Sequence, residues 1–229
     1  MDTYSRKYGR TTGVLFILGT VPMIMAMLLF GQHLSSPDIL SAVAAHRLST
    51  LLIALAIICM GLACGGIGIS LYPVLKRHGE SLAMAVTGLR LMEGALQIAT
   101  SVGFFALVAL SQEFVKAGNP PDSFYQSAGA AINAINNWAT NIYALPFMAA
   151  ALIYYAVFFK TGLVPRWLAA WGFVGILLIL GSWLASVLVL VDSSSSVLFL
   201  FNMPILVQEL VLAVWLIVRG FNFRPAAQT

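Results

Sequence analysis

Charged side chains are scarce in this chain of 229 residues: only 9% are charged, whereas 60% are hydrophobic. A soluble domain of average composition carries about 25% charged residues. The composition therefore excludes an ordinary soluble protein. A chain with this much apolar surface needs lipid as its solvent, so we predict an integral membrane protein that contacts the lipid bilayer.

Cysteine and histidine are also few, which argues against a metal centre. Cys59 and Cys64 lie five residues apart in one apolar segment, hence on different faces of a helix. We interpret both as packing residues, and we predict neither a disulfide nor a metal pair. His33, His46 and His78 lie in separate segments, and no two of them have metal-ligand spacing.

Recognisable catalytic motifs are absent from the sequence. It contains no Gly-x-Ser-x-Gly, His-Glu-x-x-His, phosphate loop or Cys-x-x-Cys. Nothing in it therefore requires catalysis, and we predict no cofactor. The net charge of +4 comes from basic residues beside the membrane spans, so it gives no evidence for nucleic-acid binding.

Six apolar segments are long enough to cross a hydrocarbon core of about 30 Å, which takes about 20 helical residues. Continuous runs of this length favour helices over a barrel, whose segments alternate over about ten residues. We predict an all-α polytopic membrane protein with one six-helix transmembrane domain over residues 1–229. Its spans lie near residues 12–31, 49–73, 82–111, 138–160, 167–191 and 197–219.

Basic residues are concentrated on one side of the predicted membrane. Most of the twelve lysines and arginines fall there: Arg6, Lys7, Arg10, Lys76, Arg77, Lys160, Arg166, Arg219 and Arg224. Arg47 and Lys116 fall on the other side, and Arg90 lies within a span. The positive-inside rule then predicts that the N-terminus and the C-terminus are both cytoplasmic.

Three ionisable residues lie inside the spans: Arg90 and Glu93 in the third, and Glu209 in the sixth. A charge near the bilayer centre costs at least about 2.5–3.5 kcal/mol on insertion scales. Arg90, Glu93, Gln97 and Ser101 follow one another at helical spacing, so they share a helix face. Counting helical rise places Arg90 and Glu209 roughly 13 Å and 15 Å from the cytoplasmic end. We predict a contact between Arg90 and Glu209.

The balance of these charges leaves a surplus carboxylate. One guanidinium faces two carboxylates, so either water or another donor reaches the second carboxylate, or it holds a proton. A protonatable carboxylate inside the membrane is what a proton-coupled transporter needs. The alternative is an Arg–Glu lock that pins two helices together.

Asparagines and prolines gather nearer the outer side. Asn137 and Asn141 are one turn apart and lead into the fourth span, and Asn202 lies seven residues before Glu209. Pro146 and Pro204 fall at nearly the same depth, and a transmembrane proline kinks its helix. This pattern favours either a polar pocket or ordinary kinks with asparagines bonded between helices.

Two outer connections contain helix-start patterns. Ser35-Ser36-Pro37-Asp38 precedes apolar residues at helical spacing, and Asn119-Pro120-Pro121-Asp122 precedes a second apolar face. We interpret these as amphipathic segments at the outer interface, or as extensions of the next span.

Several stretches together resemble a bacterial family of six-helix membrane proteins catalogued as domain of unknown function 4386. They are Leu71-Tyr72-Pro73-Val74-Leu75-Lys76, Leu89-Arg90-Leu91-Met92-Glu93-Gly94, Leu163-Val164-Pro165-Arg166-Trp167-Leu168 with Trp171-Gly172, and Glu209-Leu210 leading to Trp215-Leu216-Ile217-Val218-Arg219-Gly220-Phe221. The resemblance implies a bacterial cytoplasmic (inner) membrane location and supplies no activity.

Three hypotheses of function remain open. The first is binding or transport of a small molecule or lipid through a polar interior. Its ligand-binding or proton-carrying candidates are Arg90, Glu93, Gln97, Asn137, Asn141, Asn202 and Glu209. The second is an intramembrane enzyme acting on a lipid, and the third is a structural or accessory subunit. The sequence leaves the oligomeric state open.

Overall fold

The computed structural model describes residues 3–120, 124–188 and 196–223, and within these ranges it contains helices and no strand. Six of the described helices are long and apolar enough to cross a membrane, which confirms the predicted fold class. The described α-helices are α1 (Thr3–Phe30), α2 (Ile39–Ala45), α3 (Arg47–Leu75), α4 (Glu80–Lys116), α5 (Phe124–Thr161), α6 (Arg166–Val187) and α7 (Ser196–Arg219).

Several helices are longer than the apolar spans that hydropathy marks. α1 begins at Thr3 and α5 at Phe124, each well before the apolar stretch it contains. Hydropathy reports where side chains suit lipid, whereas backbone hydrogen bonding continues through polar residues. Pro121, Asp122, Arg224 and residues 189–191, which entered the sequence predictions, lie outside the described residues.

The predicted helix start at Asp38 is confirmed. Asp38 caps α2, and its carboxylate accepts a hydrogen bond of 3.2 Å from the backbone N–H of Ser41. Its Oδ1 lies 3.3 Å from the side-chain amide of Gln126, which donates to it. The Ser41 hydroxyl, then the Ser41 backbone N–H and Gln126, lower the pKa of Asp38 below its ordinary value.

The chain forms two compact units, which are described separately. Unit 1 comprises Met1–Ile17, Cys64–Met92 and Leu145–Thr229, and unit 2 comprises Leu18–Ala63 and Glu93–Ala144. Among the described residues, every lysine and arginine except Arg47 and Lys116 belongs to unit 1.

Unit 1 has an aromatic core and close helix contacts. Its largest fully buried apolar side chains include Phe16, Tyr154, Tyr155, Phe158 and Phe221. α1 approaches α7 so closely at Gly13 that a Cβ there would lie 2.6 Å from the carbonyl oxygen of Ala213. Small residues permit such backbone contact, which replaces the hydrophobic drive that helices lack in lipid.

The segment after α7 is held against other parts of unit 1. Gly220 ends α7 with φ +70°, a backbone conformation that favours glycine. The backbone N–H of Asn222 then donates to the carbonyl of Leu163 at 2.8 Å. The hydroxyl of Ser5 donates to the carbonyl of Phe221. The start of α1, the loop before α6 and the end of α7 are thus tied together.

Unit 2 is held by two apolar clusters and by close packing of α3 on α4. The first cluster consists of Ile39, Leu40, Val43, Leu107, Val108 and Phe114, and the second consists of Ala26, Ile53 and Ile57. A Cβ on Gly61 of α3 would lie 2.6 Å from the carbonyl oxygen of Gly94 in α4. Glycine at position 61 therefore permits close backbone contact between α3 and α4.

Candidate functional site

Arg90 is a buried cation of unit 1. Its side chain lies in α4 and is only 2% exposed. The guanidinium carbon lies 5.5 Å from the centroid of the Phe147 ring, within the range of a cation–π contact. α3 leaves room for this side chain at Gly68, where a Cβ would come within 2.8 Å of the Arg90 Cβ.

Glu209 belongs to the same unit and lies on α7. Its side chain is half-buried, in contrast to the fully buried Arg90. The predicted contact between Arg90 and Glu209 stays a prediction. Arg90 in α4 and Glu209 in α7 thus belong to the same compact unit.

Gln208, the neighbour of Glu209, links three helices of unit 1. Its side-chain carbonyl accepts a hydrogen bond of 2.6 Å from the hydroxyl of Tyr155 in α5. Its amide nitrogen donates to the backbone carbonyl of Leu168 in α6 at 3.0 Å. Gln208 is 0% exposed, so both of its polar ends are satisfied by protein groups. We call this the Gln208 clamp.

The Gln208 clamp was not predicted from the sequence, because Gln208 is uncharged and is not one of the charged residues and asparagines that were considered as candidates. A signal was present, since an amide in an apolar span must find a partner within the protein. Gly172 in α6 is a further part of this contact, which only the structure reveals. A Cβ at Gly172 would lie closer than 3.0 Å to ring carbons of Tyr155, so glycine is what lets this ring fit against α6.

In unit 2, two of the predicted residues contact each other. The side-chain amide of Gln97 donates to Oε1 of Glu93 at 3.2 Å, and both residues are buried. The carbonyl oxygen of Gln97 has no hydrogen-bond partner among the described residues. Ser101, on the same face, donates back to the carbonyl of Ile98 in its own helix. The predicted polar face of α4 therefore contains a buried carboxylate–amide pair.

The asparagines of unit 2 lie in different environments. Asn137 is exposed, and Asn141 is half-buried and donates to the carbonyl of Asn137 at 3.2 Å. The buried residue is instead Asn136, whose amide packs on the backbone of Gly103 in α4. Nδ2 of Asn136 has no hydrogen-bond partner among the described residues.

Asn202, in unit 1, lies exposed on the surface of α7. The structure places Pro146 inside α5 and Pro204 inside α7. The kinks at these prolines and the polar pocket expected beside them stay predictions. Within the described ranges, no three His, Cys, Asp or Glu residues come together in a group that could hold a metal ion.

A family model described as Domain of unknown function (DUF4386) matches residues 11–220, which cover most of the chain. No curated protein matches the chain. No solved structure matches it either.

Proposed function

The chain belongs to the family described as domain of unknown function 4386, and we propose that it binds or transports a small molecule or lipid through polar residues buried in its membrane spans. The observation that carries this proposal is the burial of Arg90. A guanidinium inside a span is expensive, and intramembrane cations are retained mostly where they serve a ligand, a proton path or a structural pair.

In the proposed site of unit 1, Arg90 fixes an anionic group or balances Glu209. A guanidinium has five N–H donors in a planar fork, which suits a carboxylate or phosphate. The ring of Phe147 lies 5.5 Å from the guanidinium carbon, a contact that stabilises a buried cation. Glu209 carries a proton in this proposal, and its half-buried side chain is consistent with a group that exchanges protons.

Glu93 is the second proton-carrying candidate, and it lies in unit 2. Gln97 donates to one of its oxygens, so the amide stabilises either an ionised or a protonated carboxyl group there. The side-chain carbonyl oxygen of Gln97 is buried and has no hydrogen-bond partner among the described residues. A hydroxyl or amine of a bound molecule can donate a hydrogen bond to this oxygen.

The competing function is that of a structural or accessory subunit whose charges lock the helices. The Gln208 clamp favours this alternative, because it joins helices of the same unit through hydrogen bonds of a polar side chain. In the clamp, however, both polar ends meet neutral protein groups. A charged pair is not needed for such a lock, and an apolar replacement of a buried pair is often neutral or stabilising.

Glu209→Gln and Glu93→Gln separate the two functions, because the amide keeps the size of the side chain and removes its charge. We expect both variants to fold and to fail to restore the membrane lipid or metabolite profile of cells that lack the protein. Loss of the folded protein in both variants would instead support the lock. Gln208→Leu, which removes the clamp, is the matched control for a purely structural defect.

The proposal also places the protein in the bacterial inner membrane with both termini in the cytoplasm. The sequence distribution of basic residues supports this orientation, because most of them flank the spans on the side predicted to be cytoplasmic, whereas Arg47 and Lys116 fall on the other side. Green fluorescent protein fused to either terminus should fluoresce, and a periplasmic reporter such as alkaline phosphatase fused there should be inactive.

A further inference from the structure

An apolar groove runs along the surface of unit 1 beside α7. It has a volume of about 470 Å³. Seven of its lining residues lie on one stripe of α7, and Trp167 at the start of α6 lines it as well. The lining residues are Trp167, Val207, Leu210, Val211, Val214, Trp215, Val218 and Arg219.

The length of the groove suits an acyl chain. Val207 and Arg219 are twelve residues apart, which is about 18 Å along a helix axis. The hydrocarbon of one leaflet is about 15 Å thick, half of the membrane core. The groove therefore has room along its length for one lipid chain from a single leaflet.

A positive charge at one end of the groove indicates which kind of lipid headgroup fits there. Arg219, in the last turn of α7, is the one cation among the lining residues, and all the others are apolar or indole side chains. Arg166, beside Trp167, is exposed at the start of α6. Tryptophan and arginine side chains at a span end are suited to the headgroup level, where arginine attracts anionic phosphates.

We propose that this groove is a binding site for an anionic phospholipid, with an acyl chain along the α7 stripe and the phosphate at Arg219. The site is separate from the proposed function, since none of Arg90, Glu93 and Glu209 lines the groove. The apolar stripe of α7 with the Trp167 indole matches the acyl chain of such a lipid, and the terminal cation matches its phosphate. A neutral helical partner would match the walls and leave the cation without an acceptor.

Tryptophan fluorescence tests the proposal, because Trp167 and Trp215 line the groove and bromine atoms on acyl chains quench nearby indoles. The full chain is placed in phosphatidylcholine nanodiscs and titrated with brominated phosphatidylglycerol or with brominated phosphatidylcholine. We expect half-maximal quenching at a lower mole fraction of phosphatidylglycerol. Arg219→Gln should weaken this preference about fivefold, the effect of one basic residue near an anionic surface.

Matched variants distinguish lipid binding in the groove from general attraction of anionic lipids to a basic protein surface. Arg10→Gln removes the same charge from unit 1 at an exposed position outside the groove, and should leave the preference nearly unchanged. Val214→Phe fills the groove and should reduce quenching by phosphatidylglycerol. Val174→Phe adds the same ring at a similarly exposed position on α6 and should not.

Three outcomes would overturn the proposal. In the first, Arg219→Gln and Arg10→Gln weaken binding equally, which indicates surface potential alone. In the second, the two brominated lipids quench alike in the unmodified protein. In the third, the protein is a dimer in nanodiscs and Val214→Phe alone makes it monomeric, which assigns the groove to a second copy of the chain.

Discussion

The hydroxyl of Tyr155 donates a 2.6 Å hydrogen bond to the side-chain carbonyl of Gln208, and both residues are fully buried in unit 1. The two residues are 53 positions apart in the chain, on α5 and α7. The bond thus joins helices that contribute distant parts of the sequence. It shows that a polar side chain inside a largely apolar unit is satisfied by other protein groups. Its loss is therefore a purely structural defect with which substitutions of the neighbouring Glu209 can be compared.

Removing this hydroxyl should destabilise the protein. Tyr155→Phe leaves the buried Gln208 carbonyl without the hydroxyl that donates to it. We expect the free energy of unfolding to fall by about 0.5–2 kcal/mol, measured by denaturant titration in mixed micelles. Tyr125→Phe, on a half-buried tyrosine of unit 2, is the control and should change stability little. Equal stability of the two variants would show that the hydrogen bond contributes nothing.

Gly172 should tolerate no larger side chain. Gly172→Ala places a methyl group against the ring of Tyr155, which is buried and bonded to Gln208 and therefore has little room to shift. We expect a loss of about 1–3 kcal/mol from overpacking. Gly181→Ala lies in the same helix with nothing within 4 Å of the new Cβ, and should be neutral or slightly stabilising. Thermal unfolding of both variants checks the contrast, and a neutral Gly172→Ala would contradict it.

The contact between α3 and α4 in unit 2 should depend on Gly61 in the same way. Gly61→Ala would press a methyl group against the carbonyl oxygen of Gly94, a backbone atom that cannot rotate away. The helices must separate, and the melting temperature should fall. Gly88→Ala in α4 meets nothing within 4 Å and serves as the control. If Gly61→Ala melts no lower than Gly88→Ala, the close approach does not stabilise unit 2.

The cap of α2 should make a small contribution that depends on pH. The folded state lowers the pKa of Asp38, chiefly through the Ser41 hydroxyl. A carboxyl group with a lowered pKa adds stability above its unfolded pKa of about 3.9, and this stability is lost as pH falls through the folded pKa. Asp38→Asn keeps a capping side chain without the charge.

The difference in melting temperature between the unmodified protein and Asp38→Asn should therefore be largest near neutral pH and should vanish in acid below the folded pKa. Because Asp38 is exposed to solvent, the difference should also shrink in high salt. A gap that is constant from neutral to strongly acidic pH would contradict the assigned role of the carboxylate.

Hydropathy and capping rules predict much of the fold from sequence. Long apolar runs predict the six long helices because a bilayer requires about 20 apolar residues in each span. Asp38 predicts the start of α2 because a carboxylate can accept the backbone N–H groups at a helix start. Several short motifs together predict the family, and a match of the family model over residues 11–220 confirms it.

The polar contacts are harder to predict, since they depend on packing between distant helices. Gln208 reaches Leu168, 40 positions away, and no local pattern links the two residues. Asn136 is buried whereas Asn137 is exposed, although the sequence makes them similar neighbours. Which face of a span meets protein is decided by its partner helices, and the apolar character of every face hides this choice in the sequence.

Native mass spectrometry of the protein in nanodiscs tests the central claim most directly, namely that the buried charges serve a bound molecule. The unmodified protein should retain a small molecule or lipid after repeated lipid exchange, and should still retain it with Val214→Phe in the groove. Glu209→Gln should lose that molecule at an unchanged melting temperature, whereas Tyr155→Phe should melt lower and keep it. No retained molecule in the unmodified protein, together with a lower melting temperature of Glu209→Gln, would contradict the claim and identify the charges as a structural lock.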